Sequence, residues 1–397
     1  MIKINNGRVI TPHGILANGS VLIKDGRITA VENFDLDISD ATIIDAGGDY
    51  ISPGFIDIHV HGGGGFDFMD NTVEAFLEIA KLHARFGTTS LFPTTLTGQT
   101  DDIIKTLETY EESCPLNKEG AELIGIHLEG PYFAMNQRGA QDPRYIRDPD
   151  PKEYEYIVSK SNSIKRWSAA PELKGALAFA KYMKSRGILV SLAHTDAIYE
   201  EVIEGFENGY TLATHMYSGM SGVTRRNAFR YAGVIESAFL IDEMSVEMIA
   251  DGIHLPEPLL KLIFKIKGPG KIALITDAMR AAGMPSGDSV IGNIHTGLKV
   301  IVEDGVSKLP DRSSFAGSVA TADRLVRTMI NMAGVSLEDT IRMITETPAA
   351  IMNISDRKGS LTVGKDADII IFDENISVYL TMVKGKVIYQ NGHSLSN

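Results

Sequence analysis

The sequence predicts an α/β chain: a TIM-like (β/α)8 barrel carrying a small β-sandwich domain formed by its two termini. Three observations lead there. Short apolar runs alternate with helical stretches through the middle of the chain, both ends read as β alone, and residues able to bind metal follow several of the apolar runs.

At the amino end, KINNGRVIT, GSVLIKDGRITAVE and ATIIDAGG alternate apolar and polar residues around turn signals such as Lys24-Asp25-Gly26-Arg27. A period of two marks half-buried strands. The carboxyl end repeats it in GSLTVGKDADIIIFD and VYLTMVKGKVIYQNG. Residues 1–52 and 355–397 are therefore expected to form one small β-domain beside a barrel of residues 53–354.

Within that middle the candidate strands are 55–59, 89–92, 123–128, 167–170, 189–193, 212–214, 246–250 and 272–276. The stretches between them include NTVEAFLEIAKLHARFG, PELKGALAFAKYMKSRG and DAIYEEVIEGFENG. Each has apolar residues three to four apart and ends on glycine, a frequent helix stop. Eight strand–helix units match a TIM barrel in number and size. A doubly wound sheet is the structural alternative.

A chain of 397 residues, 44% apolar and 22% charged, can bury a large core and a satellite. No apolar run approaches the ~18 residues of a membrane span, and MIKINNGRVI lacks a basic-then-apolar leader. The single cysteine, Cys114, rules out an internal disulfide framework, so a reducing cytoplasm is the expected location. A net charge of −13 argues against nucleic acid or an anionic membrane as partner. A small anionic substrate needs only a local basic cluster, and Thr224-Arg225-Arg226-Asn227, with Arg230 beyond, supplies one suited to phosphate.

The polar residues fall at strand ends. His59 and His61 follow the first candidate strand, Glu129 closes the third, His194 and His215 follow the fifth and sixth, and Asp277 closes the eighth. In a TIM barrel these ends share one face. Four imidazoles and two carboxylates are thus expected around one or two divalent ions, zinc first, with iron, manganese or cobalt as alternatives. Residues two apart in an extended segment face the same way, so His59 and His61 can reach one ion or a pair. Asp277 is the expected general acid/base, taking a proton from an activated water and returning it to a leaving amine. His127 shares the face of Glu129 and is expected to support it or fill the barrel. His13, His83, His295 and His393 are expected at the surface.

These residues resemble a known family. PGFIDIHVHG at 53–62 resembles the opening strand of the amidohydrolase superfamily, and GIHLEGP at 125–131 resembles the N-acetylglucosamine-6-phosphate deacetylases. LAHTDA, LATHMYSGM, ADGIHL and LITDAM follow in that family's order, and GSLTVGKDADIIIFD resembles the superfamily's closing β-segment. The resemblance implies Glu129, His194 and His215 around a main metal, His59 and His61 available to a second, and Asp277 as acid/base. It implies Arg226 and His254 as the phosphate contacts, with Arg226 offered by the neighbouring subunit of a homodimer. Two departures stand out: Gln141 where the family usually has histidine, and Ser218-Gly219 where it usually has asparagine-alanine. All three positions touch substrate in the family.

The implied activity is hydrolysis of the acetamide of an amino-sugar phosphate, N-acetylglucosamine 6-phosphate first. The alternatives are N-acetylgalactosamine 6-phosphate or another amidohydrolase reaction. Dihydroorotase- or urease-like relatives need a carboxylated lysine ending the fourth strand, where this chain has Ala169-Ala170-Pro171 and Lys165 before them. A catalytically silent sugar-phosphate binder would have no use for both the ligand set and Asp277.

Overall fold

The computed structural model describes residues 1–38 and 40–391; His393 lies outside the described residues. The period-two segments of the two ends pair with one another. Ile2–Thr11, Gly14–Lys24, Arg27–Glu32, Thr42–Asp45 and Tyr50–Pro53 join Ile369–Phe372, Val378–Val383 and Lys386–Gln390 in one eight-stranded sheet. Tyr50–Pro53 is the seam, parallel to Ile2–Thr11 on one side and antiparallel to Ile369–Phe372 on the other. Alternate residues, among them Val9, Val21, Ile51, Ile369, Ile371 and Leu380, bury into a core separate from the main one. The expected sandwich takes the form of this single hydrogen-bonded sheet.

The main body is a curled parallel sheet. Phe55–Val60 pairs with Thr88–Pro93, and a bridge from Thr94 to His127 carries the order to Ile126–Glu129. Ile164–Ala169, Leu189–Leu192, Tyr210–Ala213, Ser245–Met248 and Ile272–Leu274 follow in chain order, every pairing parallel. These are called the first to eighth strands below. The two ends of the curl meet: Asp277 N–H donates to His59 O (3.0 Å) and His61 N–H to Ala278 O (2.8 Å). Near-continuous burial of these strands reflects cover on both faces, as parallel sheets require.

The amphipathic stretches become helices Val73–Ala84, Ala176–Ser185 and Tyr199–Asn208. The second starts late because Gly175, at φ 89°, holds its N-cap out of helical geometry. His83, expected at the surface, is instead fully buried. The helical turn places it on one face with Phe76, Ile79 and Ala80, and its Nε2 lies 3.0 Å from Gly62 O. His13 and His295 are exposed.

Beyond the eighth strand, Gly287–Ile291, Leu298–Glu303, Val306–Lys308 and Phe315–Ser318 form a four-stranded antiparallel sheet that the sequence reading did not anticipate. It brings Lys308 and Phe315 to the mouth of the cavity described next. Among the described residues no helix is long and apolar enough to cross a membrane.

Candidate metal centre and substrate pocket

At the carboxyl ends of the parallel strands the chain turns sharply, and three of those turns carry unusual backbone. His194, His215 and Asp277 have φ of 46°, 33° and 47°, the left-handed region that non-glycine residues seldom occupy. Such conformations cost of order 1–3 kcal/mol each and recur where geometry serves a site. Here they accompany the convergence of side chains from the fifth, sixth and eighth strands on those of the first and third.

The convergence is tight. Glu129 Oε1 lies 3.0 Å from His215 Nε2, 3.4 Å from His59 Nε2 and 3.5 Å from His194 Nε2, while Oε2 lies 3.5 Å from His61 Nε2. Asp277 Oδ1 is 3.1 Å from His61 Nε2 and 3.5 Å from His59 Nε2. Two groupings satisfy the spacing of a cation site: His59, Glu129 and His215, and His59, His61 and Asp277.

The chemistry of the donors fits a divalent cation. His61 Nδ1 faces Thr94 O (3.2 Å), His194 Nδ1 faces Gln137 O (2.7 Å) and His215 Nδ1 faces Ser218 O (3.1 Å). A carbonyl oxygen only accepts, so Nδ1 carries the proton in each ring and Nε2 presents a lone pair to the centre. His59 Nδ1 faces the Glu247 carboxylate at 3.2 Å, with the same result. The Nε2 atoms of His59 and His61 stand 3.3 Å apart, two lone pairs facing across a space that a cation would bridge. Orientation of ligating histidines by hydrogen bonds behind the ring is the usual support of a metal site.

Electrostatics agree. Burial pushes the Glu129 carboxyl up, but His59, His194, His215 and His61 outweigh it and hold it well below the usual carboxylate range. Burial pushes the His61 imidazole down, but Asp277 and Glu129 outweigh it and raise it to about 9, so that without a cation a proton takes the Nε2 lone pair that a metal would otherwise use. Among the described residues the ion-pair partners of Glu129 and Asp277 are imidazoles, which carry positive charge only when protonated.

Around this centre lies a cavity of about 500 Å³, a size that suits a small-molecule substrate. Gln141, Ser218, Gly219 and His254 line it, as the sequence suggested, together with Tyr217, Lys308, Arg312 and Phe315. Gln141 is also committed inward, its amide N–H donating to Glu129 Oε2 at 2.6 Å and its carbonyl accepting from Thr97 N–H at 2.9 Å. Gly219 has a steric reason: a Cβ there would stand 2.6 Å from His194 Nδ1, and its φ is 56°. His254 Nδ1 lies 2.8 Å from Asp251 Oδ2, and its ring packs on Phe315 with centroids 4.6 Å apart.

Arg226 is elsewhere. Its hairpin, Thr224–Arg226 with Phe229–Tyr231, is largely exposed, and Arg226 does not line the cavity of its own chain. Its guanidinium sits 5.4 Å from the Tyr231 ring centroid. His127 is buried with Nε2 2.6 Å from Ser168 Oγ, its ring edge-on to His59. Lys165 falls inside the fourth strand but is exposed. Sequence reasoning missed Glu247 and Arg166. The signal was a lone glutamate inside the apolar run 246–250 and an arginine beside Trp167.

A curled parallel sheet with imidazoles and carboxylates gathered at its strand ends, beside a small sheet of both termini, defines a class of metal-dependent hydrolase. The chain belongs to the amidohydrolase family, whose sequence pattern matches residues 50–388. Within it the relatives point one way. The N-acetylglucosamine-6-phosphate deacetylase of Bacillus subtilis (strain 168) is 34% identical, over 98% of this chain and 97% of its own. The N-acetylgalactosamine-6-phosphate deacetylase of Escherichia coli O157:H7 is 31% identical, over 96% and 97%. Among solved structures, a variant of the Mycobacterium smegmatis N-acetyl-D-glucosamine-6-phosphate deacetylase, in complex with N-acetyl-D-glucosamine-6-phosphate, superposes with a TM-score of 0.90 at 27% identity. That match covers 98% of this chain and 99% of the other.

Proposed function

We propose that the chain hydrolyses the acetamide of N-acetylglucosamine 6-phosphate, adding water across the C–N bond to release glucosamine 6-phosphate and acetate. The observation that carries this is the set of four imidazoles and two carboxylates, each Nε2 turned inward, at the floor of a cavity sized for a sugar phosphate. The full-length likeness to deacetylases of that substrate supports it. Glu129, His194 and His215 would hold the main cation, and His59 and His61, with Asp277 alongside, a second. A bound divalent cation, zinc first, lowers the pKa of water in its reach and polarises an amide carbonyl. Asp277 takes the proton of the attacking water on a carboxylate oxygen and returns it to the departing amine. His254, with Arg226 from the neighbouring subunit, holds the phosphate.

The fold reading that goes with this is a closed (β/α)8 barrel of residues 53–354, with 1–52 and 355–397 as the small domain. We infer a homodimer in which Arg226 reaches the neighbouring active site. The exposed hairpin supports it, since Phe229 is 73% and Val223 57% accessible beside three arginines. A cytoplasmic location accords with the single cysteine, and the absence of nucleic acid or membrane as partner with the net charge of −13.

The test is acetate release from N-acetylglucosamine 6-phosphate and its galacto epimer, on protein of measured metal content. Fast release from the gluco compound, abolished by chelator, is the expected result. Preference for the galacto epimer would favour the second reading, which the Escherichia coli relative supports. No release from either, with metal bound, would sink the sugar-phosphate assignment.

A further inference from the structure

Beneath the histidines, inside the curl of the sheet, lies a fully buried ion pair. Arg166 on the fourth strand pairs through one terminal nitrogen with Glu247 Oε1 on the seventh, and neither residue has any solvent exposure. The guanidinium also donates to Ser191 Oγ at 2.9 Å, Thr214 Oγ1 at 2.9 Å and Ile58 O at 3.3 Å. Glu247 Oε2 accepts from His59 Nδ1 at 3.2 Å and from the His215 backbone N–H at 3.3 Å.

Stability alone does not account for this pair. Desolvating two ions costs several kcal/mol each, and apolar replacements of similar volume are often neutral or better. What the pair does provide is an asymmetry among the histidines. His61, His194 and His215 each have a backbone carbonyl behind the ring, whereas His59 alone has a carboxylate. A carboxylate behind an imidazole fixes its tautomer and strengthens the opposite nitrogen as a donor, an effect worth 10–100-fold in metal affinity.

We propose that Glu247, held in place by Arg166, is a positioning residue that makes His59 the strongest imidazole donor of the centre, so that the cation held by His59 and His61 depends on a charge pair outside the ligand set. Arg166 spans from the first strand to the fifth and the end of the sixth and holds Glu247 Oε1, leaving Oε2 to His59. The inference rests on the reading that this centre binds divalent cations.

The experiment titrates zinc into the full-length protein against a chromophoric chelator. The binding step belonging to the His59–His61 pair is assigned by its loss in His61→Asn. In Glu247→Gln that step should weaken 10–100-fold. Because that variant strands Arg166, a second, Arg166→Met with Glu247→Leu, removes both charges at similar volume. It should keep the apo-protein Tm while weakening the same step equally. Unchanged zinc affinities in both variants overturn the proposal. Equal weakening of every step, or a collapsed apo-protein in both, also overturns it by assigning the pair to the fold. Wild-type protein that binds no divalent cation would instead fail the metal reading under Proposed function.

Discussion

Two clusters of carboxylates, at opposite ends of the parallel strands, meet the same distance test for a cation and differ in what neutralises them. At the carboxyl ends the ion-pair partners of Glu129 and Asp277 are all histidines, which are charged only if protonated. At the amino end, Glu122, Asp366 and Asp368 are equally close together. There the Lys358 ammonium is buried among them, 2.7 Å from Glu122 Oε2 and in a short contact with Asp368, while Lys384 and Arg357 also reach Glu122. One cluster carries its counter-charge as a covalent part of the chain and ties the small sheet to the start of the third strand. The other leaves its charge to something that must arrive from solution. Crowded donors therefore indicate a metal site only where the protein has withheld its own cations.

By that contrast a strong chelator should abolish acetate release while leaving the amino-end cluster and the far-ultraviolet circular dichroism intact. Asp277→Asn should lower kcat by 10²–10⁴-fold with metal content close to wild type. Loss of metal in that variant would make Asp277 a ligand first, blurring the division between proton carrier and cage. Lys358→Met takes from buried Asp368 its ion-pair partner, while Glu122 keeps Lys384 and Arg357 and Asp366 keeps Arg27 and Arg357; it should cost about 3–5 kcal/mol in denaturant unfolding, with kcat per folded molecule unchanged.

A smaller effect comes from acid. Burial pushes Glu122 up, but Lys358, Lys384 and Arg357 outweigh it and hold the carboxyl at about 2. A carboxyl depressed on folding contributes stability above its unfolded pKa and loses it as pH falls through the folded one. Glu122 should thus contribute at most about 3 kcal/mol, lost between pH 4.5 and 2 and missing from Glu122→Gln, as unfolding at stepped pH would record. The smallest expected change is in Gln141→Ala, about tenfold in metal affinity, since it frees Glu129 Oε2 without altering charge.

Much of the site was legible because its signals are local. An apolar run that ends in histidine, glutamate or aspartate states both a strand and its polar terminus, and parallel strands put all such termini on one edge. His59 with His61, and the GIHLEGP segment around Glu129, were readable on those grounds. His83 departs from its expected surface position because its spacing from Phe76, Ile79 and Ala80 places it on the buried face of its helix, and there period outweighs polarity. The antiparallel sheet of 287–318 was missed despite the Asp304-Gly305 turn, because an insertion leaves the count of strand–helix units unchanged.

What the sequence determined by itself was the alternation of strands and helices along the chain, the β character of both ends, and which residues stand at strand termini, since period and ligand type are properties of neighbouring residues. The tertiary structure alone decided which ring nitrogen faces the centre, that Gln141 is tied to Glu129, and that Glu247 backs His59 from 188 residues away. Those outcomes depend on hydrogen bonds between strands distant in the chain. No local pattern encodes such a partner until the strands have come together around it.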